Sequence, residues 1–341
     1  MRMEIAVDRQ NAAGSTSAGR KRGLLPALGL FLVAPVVAEF LLGNMPISML
    51  GLLPILAPVY GGGALLIRET ARRAGRGWPS ILLLALAYGI LEEAFLQQSL
   101  FNPDFLDLHL HLLEPAFIPS LGIGAWWTIF VLTLHTVWSI SVSIALVEAL
   151  VPDRAEMPWL GGVEISVVAA LFAVTATAMA FNTIGRDPYH FVASRSQLAW
   201  SGIACLAAIS VSFGMRRRSR GLGCGNVPRP WLLAFAAFVS GLVFLFVPQR
   251  WGWRAVDTYL LLDALWIAAI HQWSVRSRWD GRHRLGLAGG AAMAYGVHAF
   301  FQTPALGPMN LVTRVGNVVF LCLAAGMIAI GARATSSQVR Q

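Results

Sequence analysis

Ten apolar runs of about 20 residues follow one another along this chain, separated by short clusters of proline, glycine and charged residues. A hydrocarbon core about 30 Å thick needs roughly that many helical residues, at about 1.5 Å per residue. Inside a bilayer the backbone must satisfy its own hydrogen bonds, so such runs are expected to be helices. The pattern predicts an all-α, polytopic transmembrane helical bundle of about ten spans. The predicted spans are 24–43, 49–67, 79–101, 125–150, 160–182, 196–215, 230–247, 257–275, 285–303 and 310–332.

Composition indicates that lipid surrounds most of the chain. Hydrophobic residues make up 56% and charged residues 13%, roughly half the charged share of a soluble domain, and the mean hydropathy is +0.63. The net charge of +9 would suggest nucleic acid as a partner for a soluble protein. Here the arginines lie between apolar runs and set topology. The expected partner is the lipid bilayer, with no nucleic acid. No nucleotide loop, haem ligand pair or zinc HExxH motif occurs, so no cofactor is predicted.

Basic residues predict the orientation. With ten spans and an inside N-terminus, 21 of the 26 basic residues fall on the inner side and 4 on the outer side. The positive-inside rule therefore places both termini in the cytoplasm of a multi-pass plasma-membrane protein. Residues 1–23 are predicted to be a disordered cytoplasmic tail, 24–332 the transmembrane domain, and 333–341 a second cytoplasmic tail.

Two charged features are assigned to the inner surface. The basic segments Arg68–Arg76 and Arg216–Arg220 are expected to attract anionic lipid, at about 1 kcal/mol per residue. Glu148, at the inner end of the fourth run, is expected to reach water. Both assignments leave the bundle interior to other polar groups.

The third run carries two adjacent acids, Glu92 and Glu93, inside apolar sequence. An ionisable side chain at this depth costs about 2.5–3.5 kcal/mol on insertion scales, so it requires a partner or a purpose. Glu93 and Gln97 share a helix face at four-residue spacing. The pair either supplies an acid or base for catalysis or hydrogen-bonds neighbouring helices as structural contacts.

The fourth run places a histidine at the same depth as the acids. Glu92 lies nine residues from the outer end of its span, and His135 lies ten from the outer end of its own. Both therefore lie roughly 13–15 Å below the outer surface, and two antiparallel neighbours would bring them together. Ser139 follows His135 by one turn. A buried histidine can also be purely structural.

Further polar residues collect in the outer half of the predicted bundle. His298 and Gln302 lie four residues apart in the ninth run, and Arg314 lies within the tenth. Arg314 must find an acid, either Asp263, Glu39 or the Glu92–Glu93 pair, and an Arg314–Asp263 pair would be purely structural. The expected substrate-contacting or pathway-lining residues are Gln97, Ser139, Asp263, Gln302, Arg314 and Asn317.

The outer loop from residue 102 to 124 contains acids and histidines but no lysine or arginine. Asp107, His109 and His111 stand at alternate positions and would suit a divalent metal. A hydrated loop explains the same residues, and no metal site is predicted.

The segment Leu91-Glu92-Glu93-Ala94-Phe95-Leu96-Gln97 resembles the first motif of the CAAX protease and bacteriocin-processing (CPBP) family of intramembrane proteases. That family carries Glu-Glu-x-x-x-Arg on one membrane helix, then Phe-x-x-x-His, then His-x-x-x-Asn/Asp. The resemblance implies that Glu92, Glu93, His135 and His298 are catalytic, with a glutamate activating water. Gln97 stands where the motif has arginine, Val131 where it has phenylalanine, and Gln302 where it has asparagine or aspartate.

Three functions are compatible with these features. An intramembrane glutamate/histidine-dependent peptidase, acting on a membrane-embedded peptide, requires the acids and His135 to meet. A transporter or permease requires the same acids to line a pathway with a broken helix near the midplane. A structural membrane protein requires only that the buried groups pair with each other.

Overall fold

The computed structural model describes residues 23–215 and 225–337. The predicted N-terminal tail, except Gly23, and the basic segment Arg216–Arg220 lie outside the described residues. The described part contains ten long helices, here named α1 to α10. They are Gly23–Leu41, Ile47–Arg73, Trp78–Leu96, Ala125–Leu150, Gly162–Arg186, Arg195–Gly214, Pro230–Phe246, Trp253–Ser274, Gly281–His298 and Leu311–Ser337.

The ten helices correspond in order to the ten predicted runs, and the prediction of an all-α membrane bundle is confirmed. Among the described residues, seven helices are long and apolar enough to cross a membrane. The other three helices are not in this group. Helix α7 is apolar but shorter, and α8 and α9 are not both long enough and apolar enough. The only strands in the described part are β1 (Phe117–Ile118) and β2 (Ile123–Gly124), an antiparallel pair in the loop before α4.

Several helix ends differ from the sequence prediction for local reasons. Helix α3 begins at Trp78 with Pro79 in its first turn, a position where proline loses no helical hydrogen bond. It ends at Leu96, five residues early, and the chain then turns through Gln98 with φ at +55°. Helix α10 continues to Ser337, into the segment predicted as a tail.

Burial separates a core from a periphery. In the most apolar windows of α1 to α4, more than half of the residues are buried, against 6% in α5 and in α6. Helix α9 also belongs to the core, because Ala292, Ala294 and Tyr295 are completely buried. The polar residues on α1 to α4 are therefore enclosed by protein, whereas α5 and α6 expose most of their surface.

A cluster of charges ties α2 to α4, and it corrects two predictions. Arg68 and Arg72 are buried and pair with Glu148, which is itself only 3% exposed. These two arginines therefore do not attract lipid, and Glu148 does not reach water. Arg68 also pairs with Glu69, and its guanidinium carbon lies 3.3 Å from the ring centroid of Trp159. Because these groups pair within the protein, α2 continues to Arg73, six residues beyond its predicted end.

Candidate functional site

Two glutamates and a histidine meet in the core between α3 and α4. Glu92, Glu93 and His135 are 1%, 5% and 4% exposed. His135 Nε2 lies 2.8 Å from Glu93 Oε1, and His135 Nδ1 lies 3.2 Å from Glu92 Oε2. The imidazole is therefore held between two carboxylates, one at each ring nitrogen. The sequence predicted that the glutamates and His135 lie at the same depth in the membrane, and in the structure they are in direct contact.

Each contributing helix is π-helical where it reaches this site. The described residues contain four π-helical segments, at Val36–Leu41 in α1, Ala57–Gly61 in α2, Glu92–Leu96 in α3 and His135–Val142 in α4. A π turn is rare, widens the helix by one residue and often occurs at functional sites. Here the four segments carry Glu39, Tyr60, the two acids and His135.

Missing side chains at two glycines allow the helices to approach. A Cβ at Gly89 would lie 3.2 Å from the Cβ of His135. The close packing of α3 against α4 therefore depends on glycine at this position. A Cβ at Gly63 would lie 2.5 Å from the ring of Tyr88. Gly63 therefore provides the space that the Tyr88 ring occupies beside His135.

Two tyrosines flank the imidazole in different ways. The Tyr60 ring stacks on His135 with centroids 6.2 Å apart and planes 15° apart, whereas Tyr88 meets it edge-on at 6.2 Å. The Tyr60 hydroxyl donates to Glu39 Oε1 at 2.6 Å. Asn44, half-buried after α1, donates to the other oxygen of Glu39 at 2.6 Å. Glu39 thus holds Tyr60 against the histidine.

The two glutamates differ in how far their hydrogen-bonding capacity is used. Glu93 Oε1 faces His135, and Glu93 Oε2 accepts from the Ser99 hydroxyl, which in turn accepts from Trp127 Nε1 at 2.9 Å. By contrast, neither oxygen of Glu92 accepts a close hydrogen bond in the described part of the chain, and its neighbours are His135 Nδ1, 3.2 Å from Oε2, and the hydroxyls of Tyr60 and Tyr88. Glu93 is therefore fixed in place, while Glu92 has free acceptor capacity in a buried position.

His135 can use its second nitrogen in two ways. With Nε2–H donating to Glu93, Nδ1 of the neutral ring accepts from the Ser139 hydroxyl, 3.2 Å away. When the ring is protonated, Nδ1–H faces Glu92 instead. The site can thus store a proton on the histidine without moving any helix.

Several residues predicted for the site lie elsewhere. His298 ends α9 and packs edge-on against Phe246 at 5.0 Å, and it does not join Glu92, Glu93 and His135. Its motif partner Gln302 lies in the turn beyond α9. Gln97 accepts from Thr183 at 3.3 Å and faces α5. Of the six residues predicted to contact a substrate or line a pathway, only Ser139 has a side chain that hydrogen-bonds to the cluster.

The expected pairing of Arg314 is wrong. Arg314 lies in the first turn of α10 and is exposed, and it forms no ion pair with any of the described acids proposed for it. Asp263 instead accepts from Thr133 at 3.0 Å. Asn317 is buried and donates to the carbonyl of Ala299 at 2.7 Å, which joins α10 to the end of α9.

The outer loop forms short local pairs. His109 lies 3.1 Å from Asp104 and 3.6 Å from Asp107, and these three exposed or half-buried residues could hold a cation. His111 pairs with Glu114 at 2.7 Å and is not part of that group. Asp107, His109 and His111, which stand at alternate positions in the sequence, therefore do not form one site.

Sequence reasoning missed several members of the core cluster. Tyr60, Asn44, Ser99 and Trp127 were not candidates, and Glu39 was considered only as a partner for Arg314. One signal was available: Pro58 in the second run and Pro35 in the first each disturb the helix close to a polar residue.

A cation is one possible occupant of the core cluster. One ligand atom from each of Glu92, Glu93 and His135 lies within 4.8 Å of the others. Because both ring nitrogens already face carboxylate oxygens, a protonated imidazole satisfies the same geometry without a metal.

Comparison with known sequences assigns the chain to a family. Residues 28–339 match the sequence profile of an uncharacterized membrane protein family. The chain belongs to this family. The match covers all ten helices almost completely, so the chain is an integral membrane protein along its whole described length. A search of curated proteins and a search of solved structures each found no significant match.

Proposed function

We propose that this protein is an intramembrane glutamate/histidine-dependent peptidase that cleaves a membrane-embedded peptide. The observation that carries the proposal is the unequal state of the two glutamates around His135. Glu93 is held by Ser99 and His135 through close hydrogen bonds, while Glu92 is buried beside His135 Nδ1 with no close hydrogen bond to either oxygen. A fixed acid, a histidine and a free carboxylate are the parts that general acid–base hydrolysis requires.

Each residue then has a distinct role. Glu92 accepts a proton from the attacking water, because neither of its oxygens is held by a close hydrogen bond and it lies beside His135. Glu93 fixes the ring orientation through Nε2 and stabilises the imidazolium. Ser139 supports the neutral ring at Nδ1. The arrangement follows the principle that an oriented histidine needs a third group to hold it.

The reaction balances within these residues. The water oxygen bonds to the carbonyl carbon while Glu92 takes one water proton, and the carbonyl π electrons move to oxygen. When the carbonyl re-forms, the C–N bond breaks, and the amine leaves with the proton that Glu92 took from the water. The products are a carboxylic acid, which keeps the second water proton, and an amine, and no external oxidant, reductant or cofactor is consumed.

The CPBP resemblance supports part of this proposal. The residues that match its first two motifs, Glu92, Glu93 and His135, are in contact. The residues nearest to its third motif, His298 and Gln302, lie outside the cluster. The proposed chemistry therefore depends on the first two motifs and on tyrosines that the family pattern does not contain.

The test uses the full chain in lipid nanodiscs with a library of transmembrane peptides, read by mass spectrometry. We expect wild-type protein to cleave a subset, and Glu92→Gln and His135→Ala to lose at least 100-fold in rate. Glu114→Gln, at an exposed loop glutamate, is the matched control and should cleave normally. Gel filtration and thermal unfolding confirm that each variant is folded.

Two results would contradict the proposal. Undiminished cleavage by Glu92→Gln would remove the peptidase assignment. An absence of cleavage by wild-type protein, combined with proton uptake into liposomes that Glu92→Gln abolishes, would favour a proton-coupled permease that uses the same acids.

A further inference from the structure

The two tyrosines beside His135 differ in one respect that bears on catalysis. Both are buried, at 3% exposed for Tyr60 and 5% for Tyr88. The Tyr60 hydroxyl donates to Glu39, whereas no described group hydrogen-bonds to the hydroxyl of Tyr88. A buried hydroxyl without a partner costs about 1–3 kcal/mol, so an unused donor in the core requires an explanation.

Contacts from neighbouring helices hold the Tyr88 ring in place. It lies one helical turn before Glu92 on α3, contacts His135 edge-on, and packs against Phe172 of α5 with centroids 6.3 Å apart. Gly63 leaves the space for it on the α2 side. The ring is therefore enclosed by four helices, and its hydroxyl is buried without a close hydrogen bond.

The unused donor faces an unused acceptor. The Tyr88 hydroxyl and the Glu92 carboxylate interact with each other, one helical turn apart, and neither makes a close hydrogen bond within the described structure. Buried polar groups in folded proteins are nearly always paired. A donor and an acceptor left open on the same side of one imidazole can both be satisfied by a bound molecule that both donates and accepts.

We infer that the Tyr88 hydroxyl donates to the carbonyl oxygen of the scissile peptide bond while Glu92 holds the attacking water. This inference rests on the proposed peptidase function and adds an electrophilic group to it. As water attacks, negative charge builds on the carbonyl oxygen, and the Tyr88 hydrogen bond strengthens. Tyr88 keeps its proton throughout, so the proton transfers from water to the leaving amine are unchanged.

Tyr60 is unsuited to the same role. Its hydroxyl is engaged by Glu39, whose other oxygen is held by Asn44. Donating to a substrate would leave a buried carboxylate with one donor fewer, at a substantial cost. Tyr60 is a positioning residue that holds the plane of the His135 ring through stacking.

The test compares Tyr88→Phe with Tyr60→Phe, since each removes one hydroxyl from a ring beside His135. We expect Tyr88→Phe to lower kcat by about 10²–10³-fold, the usual effect of losing one oxyanion donor, with KM and thermal stability unchanged. It should weaken binding of a phosphinic peptide analogue, measured as a ligand-induced shift in Tm, by a similar factor. Tyr60→Phe should instead lower thermal stability.

The outcomes separate this inference from the proposed function. If Glu92→Gln abolishes cleavage but Tyr88→Phe keeps wild-type kcat and wild-type phosphinate binding, the role of Tyr88 is overturned and the peptidase stands. If Tyr88→Phe destabilises the protein as much as Tyr60→Phe, its hydroxyl is structural and the inference is also overturned. If wild-type protein cleaves nothing and does not bind the phosphinate, both proposals fail.

Discussion

Helices α2 and α4 share two buried polar clusters that are built in opposite ways. One joins Arg68 and Arg72 to Glu148, and the other places Tyr60 against His135. On α4, 13 residues separate Glu148 from His135, which corresponds to about 20 Å along the helix. Burial is nearly the same in both clusters, so the difference between them lies in how fully their polar groups are paired.

In the Arg68–Glu148 cluster, every buried polar atom of its charged residues within the described structure has a partner. Glu148 accepts from both arginines at 2.8–3.1 Å. Arg68 also donates to three carbonyls of the loop after α4, and Glu69 accepts from the amides of Trp159 and Leu160. This cluster fixes the connection between α4 and α5, and nothing in it remains free to bind a ligand.

The cluster around His135 leaves groups open at its centre. Glu92 and the Tyr88 hydroxyl interact with each other but make no close hydrogen bond in the part of the chain described, while Glu39, Glu93 and Tyr60 around them are closely paired. A closed cluster stabilises the fold, whereas an open one surrounded by closed contacts holds reactive groups in position. The comparison indicates that incomplete pairing, and not burial of charge, distinguishes the candidate active site.

The largest expected effect comes from the same substitution made in each cluster. Glu148→Gln removes the only carboxylate shared by two buried arginines and should lower the free energy of unfolding by about 3–5 kcal/mol. Glu92→Gln leaves His135 paired with Glu93 and removes a carboxylate that accepts no close hydrogen bond, so it should change that free energy by no more than about 1 kcal/mol. Denaturant unfolding of the two variants in detergent measures both values.

The double variant Arg72→Met/Glu148→Leu sharpens this comparison, since it should be less destabilised than Glu148→Gln alone. Equal destabilisation by Glu148→Gln and Glu92→Gln would contradict the distinction between a closed and an open cluster.

A smaller effect is expected from the close approach of α3 to α4. Gly89→Ala adds a Cβ 3.2 Å from His135, which should displace the ring and reduce cleavage at least tenfold. Gly326→Ala in α10 is the matched control, because a Cβ there meets no atom within 4 Å. The control should gain up to about 1 kcal/mol from helix propensity and keep full activity. Activity and unfolding are measured for both variants. Equal activity of Gly89→Ala and Gly326→Ala would contradict the proposed role of the close helix approach.

The smallest effect belongs to a polar group at the surface, outside the spans. Asp280 caps α9 and accepts from the amide of Arg282 at 3.0 Å. Partial burial raises its pKa, but hydrogen bonds from His283 and Arg282 outweigh this and hold the pKa well below its usual range. Asp280→Ala should therefore cost about 1 kcal/mol at neutral pH.

The pH dependence of that cost follows from the lowered pKa. The stabilisation by Asp280 is fully present above its unfolded pKa of about 4 and is lost as pH falls towards the folded value. The difference in Tm between wild-type and Asp280→Ala protein should shrink in that acid range. A difference that grew on acidification would show that the capping bonds do not favour the charged form.

The sequence predicted the fold well and the site in part. Apolar runs predict helices because an unpaired backbone is costly in lipid, and this held for all ten. The equal depth of the two glutamates and His135 in their spans predicted that they would meet, and the structure shows them in contact. Arg314 was misjudged because it was treated as buried in its span, whereas it lies in the first turn of the helix, where its long side chain is exposed.

Sequence alone determined that this chain is a membrane bundle and that two acids share a level with one histidine, since both follow from run length and rise per residue. Only the tertiary structure decided that Glu93 is held and Glu92 is open, and that Tyr60 and Tyr88 complete the cluster. The physical reason lies in the π turns, each of which inserts one extra residue into its helix where the four helices meet. A regular 3.6-residue period cannot indicate which side chains then face each other.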